Sequence, residues 1–406
     1  MTVQYDIAIV GGGMVGGLLA CALGNSRFKV LVIEAGEIPA FTSTDSYALR
    51  VSALSLASQY MLEQVGAWRG VVDRRACPYS RLQVWDGVGG GETLFESAEI
   101  SATHLGHIVE NHVLQLALTE RLQQFDNVDF RTATRIDQLA ISDDSAKIVT
   151  NENESIFVSL IVGADGGNSR VRQLTGIETS GGMYADQHAL VATIETQMQQ
   201  QDITWQRFMP GGPEAFLPLC GHYGSIVWYN TPEEVARLKT LSERNFIDEL
   251  EAKFPTQLGD VRSIVGRGSF PLAQKHANQY IKPRIALVGD AAHTVHPLAG
   301  QGVNLGLLDA GTLAEVLLES TSSDVAEWRD LRRYERWRKG HNRLMQAALD
   351  GFYRAFKPQP AAVKILRSAV LDAANRLSPL NQLCMRFASG LEGDLPKLAR
   401  CPVAGM

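Results

Sequence analysis

The sequence predicts an α/β fold: a parallel-sheet framework interrupted by an antiparallel β-sheet and followed by helices. Three observations carry that prediction. Apolar, β-branched runs at residues 5–10, 30–33, 160–163 and 285–288 read as strands buried on both faces. Three of these runs open directly into glycine-rich turns. Between them, residues 183–270 switch to short segments of the kind an antiparallel sheet makes.

In chain order, the strand over 5–10 runs into Gly11-Gly12-Gly13-Met14-Val15-Gly16, where Gly11, Gly13 and Gly16 fit the GxGxxG spacing. The first glycine permits a tight turn, the second lets a pyrophosphate approach, and the third lets the following helix pack on the strand. A helix over 14–23 leads to the strand 30–33, closed by Glu34, a carboxylate placed to take the hydroxyls of an adenosine ribose. Residues 7–24 are uncharged and mostly apolar, yet they lack a basic flank and hold five glycines in their middle, so strand-turn-helix explains them better than a signal or a membrane span.

Arg50 follows, set among apolar neighbours in 47–53; it reads equally as a solvated or ion-paired arginine and as a phosphate or flavin contact. Residues 82–85 and 93–95, joined by glycines 89–91, form a hairpin. A helix opens over 108–114, and 128–149 reads as a small β-meander. The strand over 160–163 then ends in Asp165 and glycines, with Ser169 and Arg172 on one side of a short helix. In the antiparallel region four strands lie at 189–194, 204–208, 215–219 and 225–229, with one helix over 233–254. Its aromatics Trp205, Phe208, Phe216, Trp228 and Tyr229 serve as core or, as a group, as the lining of an apolar pocket.

The stretch from Gly289 to Asn304 organises the rest. The strand 285–288 precedes it and a helical pattern over 305–318 follows it. Asp290, just past the strand, can accept hydrogen bonds from sugar-type hydroxyls, while Gly300 and Gly302 let backbone N–H groups approach a ligand near the positive end of the helix. Beyond it, 328–339 carries Arg332, Arg333, Arg336, Arg338 and Lys339 on a helix, read as a solvated basic face or as a contact for anionic lipid or an acidic partner. The tail over 344–391 is helical.

Composition narrows the function classes. A net charge of −6 argues against nucleic-acid binding, and five cysteines without CxxC spacing offer neither a zinc site nor a disulfide framework, which fits a reducing compartment. His293 and His296, three apart, lack the cysteines or acidic cluster a metal would need, and His293 is expected to shape the turn. No GxSxG elbow supports a hydrolase.

Together Gly11-x-Gly13-x-x-Gly16, Gly163-x-Asp165-Gly166-x-x-Ser169-x-x-Arg172 and Gly289-Asp290-Ala291-Ala292-His293, with Pro297, Gly300, Gln301 and Gly302, resemble the FAD-dependent aromatic hydroxylases of the p-hydroxybenzoate hydroxylase-like flavoproteins. Within them, Arg50-Val51-Ser52-Ala53, residues 106–111 and residues 297–306 resemble the ubiquinone-biosynthesis hydroxylases. The resemblance spans residues 4–395 and implies a Rossmann-like FAD-binding domain interrupted by an antiparallel β-sheet substrate domain, with C-terminal helices. The divisions it implies are FAD-binding segments 1–76, 103–182 and 271–340, a substrate-domain hairpin 77–102, the substrate sheet 183–270 and a helical region 341–406.

Carried over by position, Gly11, Gly13 and Gly16 take the FAD pyrophosphate, Glu34 the adenosine ribose, and Asp290, after Gly289, the ribityl chain. Arg50, His293 and the loop from Pro297 through Gly300, Gln301 and Gly302 to Asn304 lie near the isoalloxazine. Asp165 belongs to a segment serving both FAD and NAD(P)H. Asn111 stands where many aromatic hydroxylases carry an arginine, so an amide replaces a charged contact there.

The implied chemistry is flavin-centred and needs no fixed catalytic side chain: NAD(P)H as a transient donor reduces FAD, O2 adds at flavin C4a, and the hydroperoxide hydroxylates a phenol ring. The implied substrate is a polyprenyl phenol or quinol, met at a membrane surface or among other ubiquinone-biosynthesis proteins, with the C-terminal helices as the contact. The implied location is cytoplasmic, at the inner face of the membrane. Residues 187–193 and 390–396 resemble the C5 hydroxylase of 2-polyprenylphenol, the favoured reading. Residues 205–208 and 212–216 lean towards the C6 hydroxylase of the demethoxy quinol; C1 hydroxylation is a further alternative. The rivals are a flavin halogenase, a prenyl-chain reductase and a non-catalytic FAD-bearing scaffold.

Overall fold

A computed structural model of the chain describes residues 3–44, 46–254, 259–296, 300–356 and 378–401. One sheet is parallel at its centre, in the spatial order Ile285–Leu287, Ser155–Gly163, Tyr5–Val10, Val30–Ile33 and Val128–Arg131. The four apolar runs read from the sequence are therefore neighbours, and their residues are almost wholly buried because helices cover both faces. Helices Met14–Ala22, Asn111–Leu122 and Gln301–Glu319 pack around it in one apolar core.

The second sheet is built from Thr179–Thr196, Ile203–Met209, Gly212–Pro218, Tyr223–Asn230 and Val261–Ala277, and the hairpin Arg81–Asp86/Glu92–Glu96 extends it. The hairpin joins through a parallel pairing of Arg81–Asp86 with Ile203–Met209. A third, three-stranded sheet places Val51–Ser55 and Cys77–Tyr79 on either side of Gly106–Glu110.

Alternation gives the second sheet two different faces. Leu190, Ile226, Trp205, Phe216 and Trp228 point to a core closed by Val235, Leu238, Phe246 and Leu250 from two helices. The other face carries Val191, Val227, Ala215 and Gln206, which sit side by side across neighbouring strands. That face is turned towards the first sheet's glycine loops.

Several local expectations need correction. The single helix over 233–254 is two, Pro232–Thr240 and Glu243–Glu251, because the Ser242 hydroxyl accepts from the Asn245 N–H and caps a new start. Residues 106–110 are a strand, and the helix begins only at Asn111. The 128–149 segment is not one meander: Val128–Arg131 joins the parallel sheet, while Ile136–Ile141 and Ala146–Thr150 form a hairpin on Ser155–Gly163. The helix expected from 305 starts at Gln301, with Gly300 in the left-handed region at φ 61°.

The basic run at 328–339 lies on helix Trp328–Phe356, but Arg338 is fully buried there rather than solvated. Pro297 and residues 357–377 of the tail lie outside the described residues; Ser378–Ala388 is a helix. No helix among the described residues is long and apolar enough to cross a membrane.

Candidate active site

Between the two sheets lies a cavity of about 480 Å³, within the range of small-molecule and cofactor sites. One wall is made by loops at the ends of the parallel strands: Gly13, Met14, Ala164, Gly166, Asp290 and Gly302. The opposite wall is the free face of the antiparallel sheet, including Val191, Thr204, Gln206, Leu217, Val227 and Tyr229. Arg50 and Asn111 reach it from the third sheet and the helix behind it. Of the five aromatics weighed from sequence, only Tyr229 lines the cavity; Trp205, Phe216 and Trp228 belong to the helix-backed core, and Phe208 packs on Phe356.

The glycines act in different ways. Gly11 has φ 106°, and a Cβ there would stand 2.4 Å from the Ala164 carbonyl oxygen. A Cβ on Gly16 would stand 1.9 Å from the Gly11 carbonyl oxygen, so this glycine lets helix and strand meet. A Cβ on Gly13 would meet nothing within 4 Å, and Gly166 is equally open. Gly13 caps helix Met14–Ala22 with no side-chain cap and no acid in the first turn, and Gly300 caps Gln301–Glu319 in the same manner. Two helix N-termini with free N–H groups thus face the cavity and favour an anionic ligand.

Glu34 accepts from Gly12 N at 2.8 Å and from Gly36 N at 3.1 Å, which holds its carboxylate beside the first loop. Asp290 stands in the cavity wall, open towards the cavity and enclosed by protein elsewhere. Burial there raises its carboxyl above the usual range, and nearby His293 and Arg50 moderate the rise. Arg50 lies over the Phe270 ring, 5.9 Å from its centroid. Asn111 is fixed by Ser52, whose hydroxyl donates to its Oδ1 at 2.7 Å, and its backbone N–H donates to the Arg50 carbonyl at 3.0 Å.

Other sequence candidates sit behind the wall. The Asp165 carboxylate accepts from Ser169 Oγ at 2.6 Å and from the N–H groups of Arg170 and Val171, so it caps the short helix Arg170–Leu174. Arg172 is buried and ties two loops together by donating to the Ala291 and Gly167 carbonyls. Asn304 accepts from Ser55 N and Ser58 Oγ and donates to Ala53 O, which joins the Gln301–Glu319 helix to the segment after Arg50. Gln301 donates to the Ala388 carbonyl at 3.4 Å.

Sequence reasoning missed the network beneath Asp290. Asp309, fully buried in helix Gln301–Glu319, bonds His293 Nε2 at 2.5 Å through Oδ2 and Arg338 Nε at 2.8 Å through Oδ1. It also accepts from Gly289 N at 3.1 Å and from Asn342 Nδ2 at 2.9 Å. Although burial opposes it, His293 and Arg338 hold the Asp309 carboxyl well below the usual range. An aspartate inside an otherwise apolar helix was the available signal. His296 instead bonds Gln187 at 3.1 Å, and no metal-binding cluster occurs among the described residues.

The residues fit FAD. The open space at Gly13, the two uncapped helix starts and the loop-held carboxylates suit a diphosphate flanked by sugar hydroxyls, and the cavity continues from them onto an apolar sheet face.

Comparison with known proteins agrees. Residues 4–348 match the FAD binding domain family. The crystal structure of p-nitrophenol 4-monooxygenase PnpA from Pseudomonas putida DLL-E4 superposes with a TM-score of 0.78 at 19% identity, covering 96% of this chain and 98% of that one, which shows the shared fold. The chain is an FAD-dependent aromatic monooxygenase. It is 40% identical to the 3-demethoxyubiquinol 3-hydroxylase of Escherichia coli (strain K12), over 95% of this chain and 98% of the relative. It is 34% identical to the mitochondrial ubiquinone biosynthesis monooxygenase COQ6 of Homo sapiens, over 95% and 92%. The chain belongs to the FAD-dependent ring hydroxylases of ubiquinone biosynthesis.

Proposed function

We propose that this hydroxylase acts on a demethoxy quinol, adding the oxygen written above as C6, rather than at C5 of 2-polyprenylphenol. The Escherichia coli relative's name, at 40% identity over nearly the full length of both chains, supports this reading. Cavity lining does not separate the two sets of sequence features: Gln206 and Ala215, from the segments that lean towards C6, line the cavity, and so does Val191, from a segment that leans towards C5.

The observation that carries the proposal is the cavity itself, which runs from the glycine loops to the sheet face and so brings a flavin and a ring together. Bound FAD supplies oxygen activation, with O2 as co-substrate and NAD(P)H as a transient donor. The protein's part is to orient and to exclude water. Val191, Val227, Leu217 and Phe270 present apolar surface to the ring, while Thr204 and Gln206 offer hydrogen bonds to its oxygens. Thr204 Oγ1 is buried without a protein partner, and so is Thr294 Oγ1 on the opposite wall. With FAD bound, the N–H dipoles at the start of Gln301–Glu319 would stabilise negative charge on the reduced ring.

The polyprenyl tail requires contact with a membrane or with other ubiquinone-biosynthesis proteins. Leu383 and Phe387, one turn apart on Ser378–Ala388, are exposed and suit that contact. The test is turnover by the FAD-loaded protein of a short-chain demethoxyubiquinol, with product identified by mass. Gain of one ring oxygen is expected. Donor oxidation that yields only peroxide would contradict the proposal, and conversion of the 2-alkylphenol alone would restore C5.

A further inference from the structure

The chain's cysteines were unpromising in sequence, because no two are close together. The fold brings two of them side by side. Cys77 opens the strand Cys77–Tyr79 of the three-stranded sheet, and Cys220 lies in the turn between Gly212–Pro218 and Tyr223–Asn230 of the substrate-side sheet. The Cys220 thiol donates to the Ala76 carbonyl at 3.7 Å, and the two thiols are within hydrogen-bonding reach of each other. Both are free; Cys220 is exposed and Cys77 half-buried, so a small oxidant can reach them.

Their surroundings favour reaction at one sulfur. Tyr47 OH donates to the Cys220 carbonyl at 3.3 Å, its ring packs 5.1 Å from Tyr223, and the Arg75 guanidinium lies 4.2 Å from the Tyr47 centroid. Arg75 is itself paired with the buried Glu110 at 2.9 Å. The hydrogen bond from Cys77, helped by Tyr47 and Arg75, lowers the Cys220 thiol to about 6 and raises Cys77. The direction of both shifts favours the thiolate at the exposed sulfur and the thiol at its neighbour. This is the arrangement of an attacking and a resolving cysteine.

We propose that Cys77 and Cys220 form a peroxide-responsive dithiol that closes into a disulfide across the junction of the two sheets. The Cys220 thiolate attacks hydrogen peroxide, the O–O bond breaks, and a sulfenic acid and hydroxide form. The Cys77 thiol then attacks that sulfur, the S–O bond breaks, and its hydroxyl leaves as water with the thiol proton. Two electrons pass from the sulfurs to one peroxide, which ends as two water equivalents.

The bond would staple the element that carries Leu49 and Arg50 to the strands that carry Leu217 and Ser225. Glu110 ties these together: it accepts from Ala48 N at 2.7 Å and ends the strand paired with both Val51–Ser55 and Cys77–Tyr79. Leu49, Arg50, Leu217 and Ser225 all line the cavity, so closure fixes the side that carries Arg50 relative to the antiparallel sheet.

The test treats the FAD-loaded full chain with hydrogen peroxide, alkylates the remaining thiols, and analyses non-reduced peptides by mass. The expected result is loss of two of the five free thiols, a linked peptide joining Cys77 to Cys220 that is about 2 Da lighter than its separate parts, and a thermal midpoint raised by several degrees. Cys77→Ser should instead leave a sulfenic acid on Cys220 that dimedone traps. A wild-type protein that keeps five thiols under peroxide, or that accumulates a trappable Cys220 sulfenic acid with no linked peptide, would overturn the proposal without needing any variant to fold.

Discussion

Gly13 separates a cofactor-binding role from a folding role. Its φ of −73° and ψ of −167° lie where alanine is comfortable, and a Cβ would meet no heavy atom of the protein within 4 Å. The apo-fold should therefore tolerate Gly13→Ala at a cost of about 1 kcal/mol, the difference between glycine and alanine as helix caps. The proposed FAD site puts the pyrophosphate in that same space. An added methyl in a packed contact costs about 1–3 kcal/mol, which corresponds to a Kd weakened by roughly 5- to 150-fold. Gly16→Ala provides the contrast, because its Cβ would stand 1.9 Å from a backbone oxygen that cannot swing away. The assay is flavin-fluorescence titration of apo-protein beside thermal melting. An unchanged FAD Kd in Gly13→Ala would refute the placement of the pyrophosphate at Gly13, and so would a melting loss like that of Gly16→Ala.

Four further outcomes are expected. Arg338→Met removes one partner of the buried Asp309 and should cost about 3–5 kcal/mol in urea unfolding; a loss under about 1 kcal/mol would show that His293 and Asn342 suffice. Thr204→Val removes a buried hydroxyl that lacks a protein partner, so stability should hold or rise while turnover falls about 10-fold; unchanged turnover would remove Thr204 from substrate binding. Burial lowers His107, His276 and His341 each to about 4. A lowered histidine contributes stability that is complete above its unfolded value and lost as protonation sets in, so the urea midpoint should fall as pH drops from about 6.5 towards 4, and a flat profile over that window would contradict their neutral burial. Leu383→Glu with Phe387→Glu should reduce sedimentation with anionic vesicles and leave FAD content unchanged; undiminished sedimentation would exclude the Ser378–Ala388 helix as the contact.

Much of this was readable from sequence because backbone demands choose residue types. The parallel strands announced themselves as continuous apolar runs, since covering both faces leaves no polar position. Gly11 and Gly16 were legible because nothing larger fits beside Ala164 and Gly11. The strand Val261–Ala277 was not read. Its glycines, arginines, lysine and Pro271 break any simple alternation, and pairing along Thr179–Thr196 sets its conformation. Arg338 was hidden among surface-like charges, and only the tertiary meeting with Asp309 turns it inward. Asp165 and Asn304 were read by motif as cofactor residues. Their side chains hold a helix start and a strand–helix junction, so such a motif marks where the cofactor lies without saying which atoms touch it. Gln206 and Thr204 carried a usable signal: polar residues on the face of a strand whose partners are apolar.

The central claim is a ring hydroxylation at the position left open in a demethoxy quinol. Cells lacking this chain, with their quinones extracted and identified by mass, test it most directly. The account predicts accumulation of the demethoxy intermediate and its disappearance when the chain is restored. An intermediate lacking the C5 oxygen would move the reaction to the earlier phenol, and a normal quinone profile would contradict the assigned substrate outright.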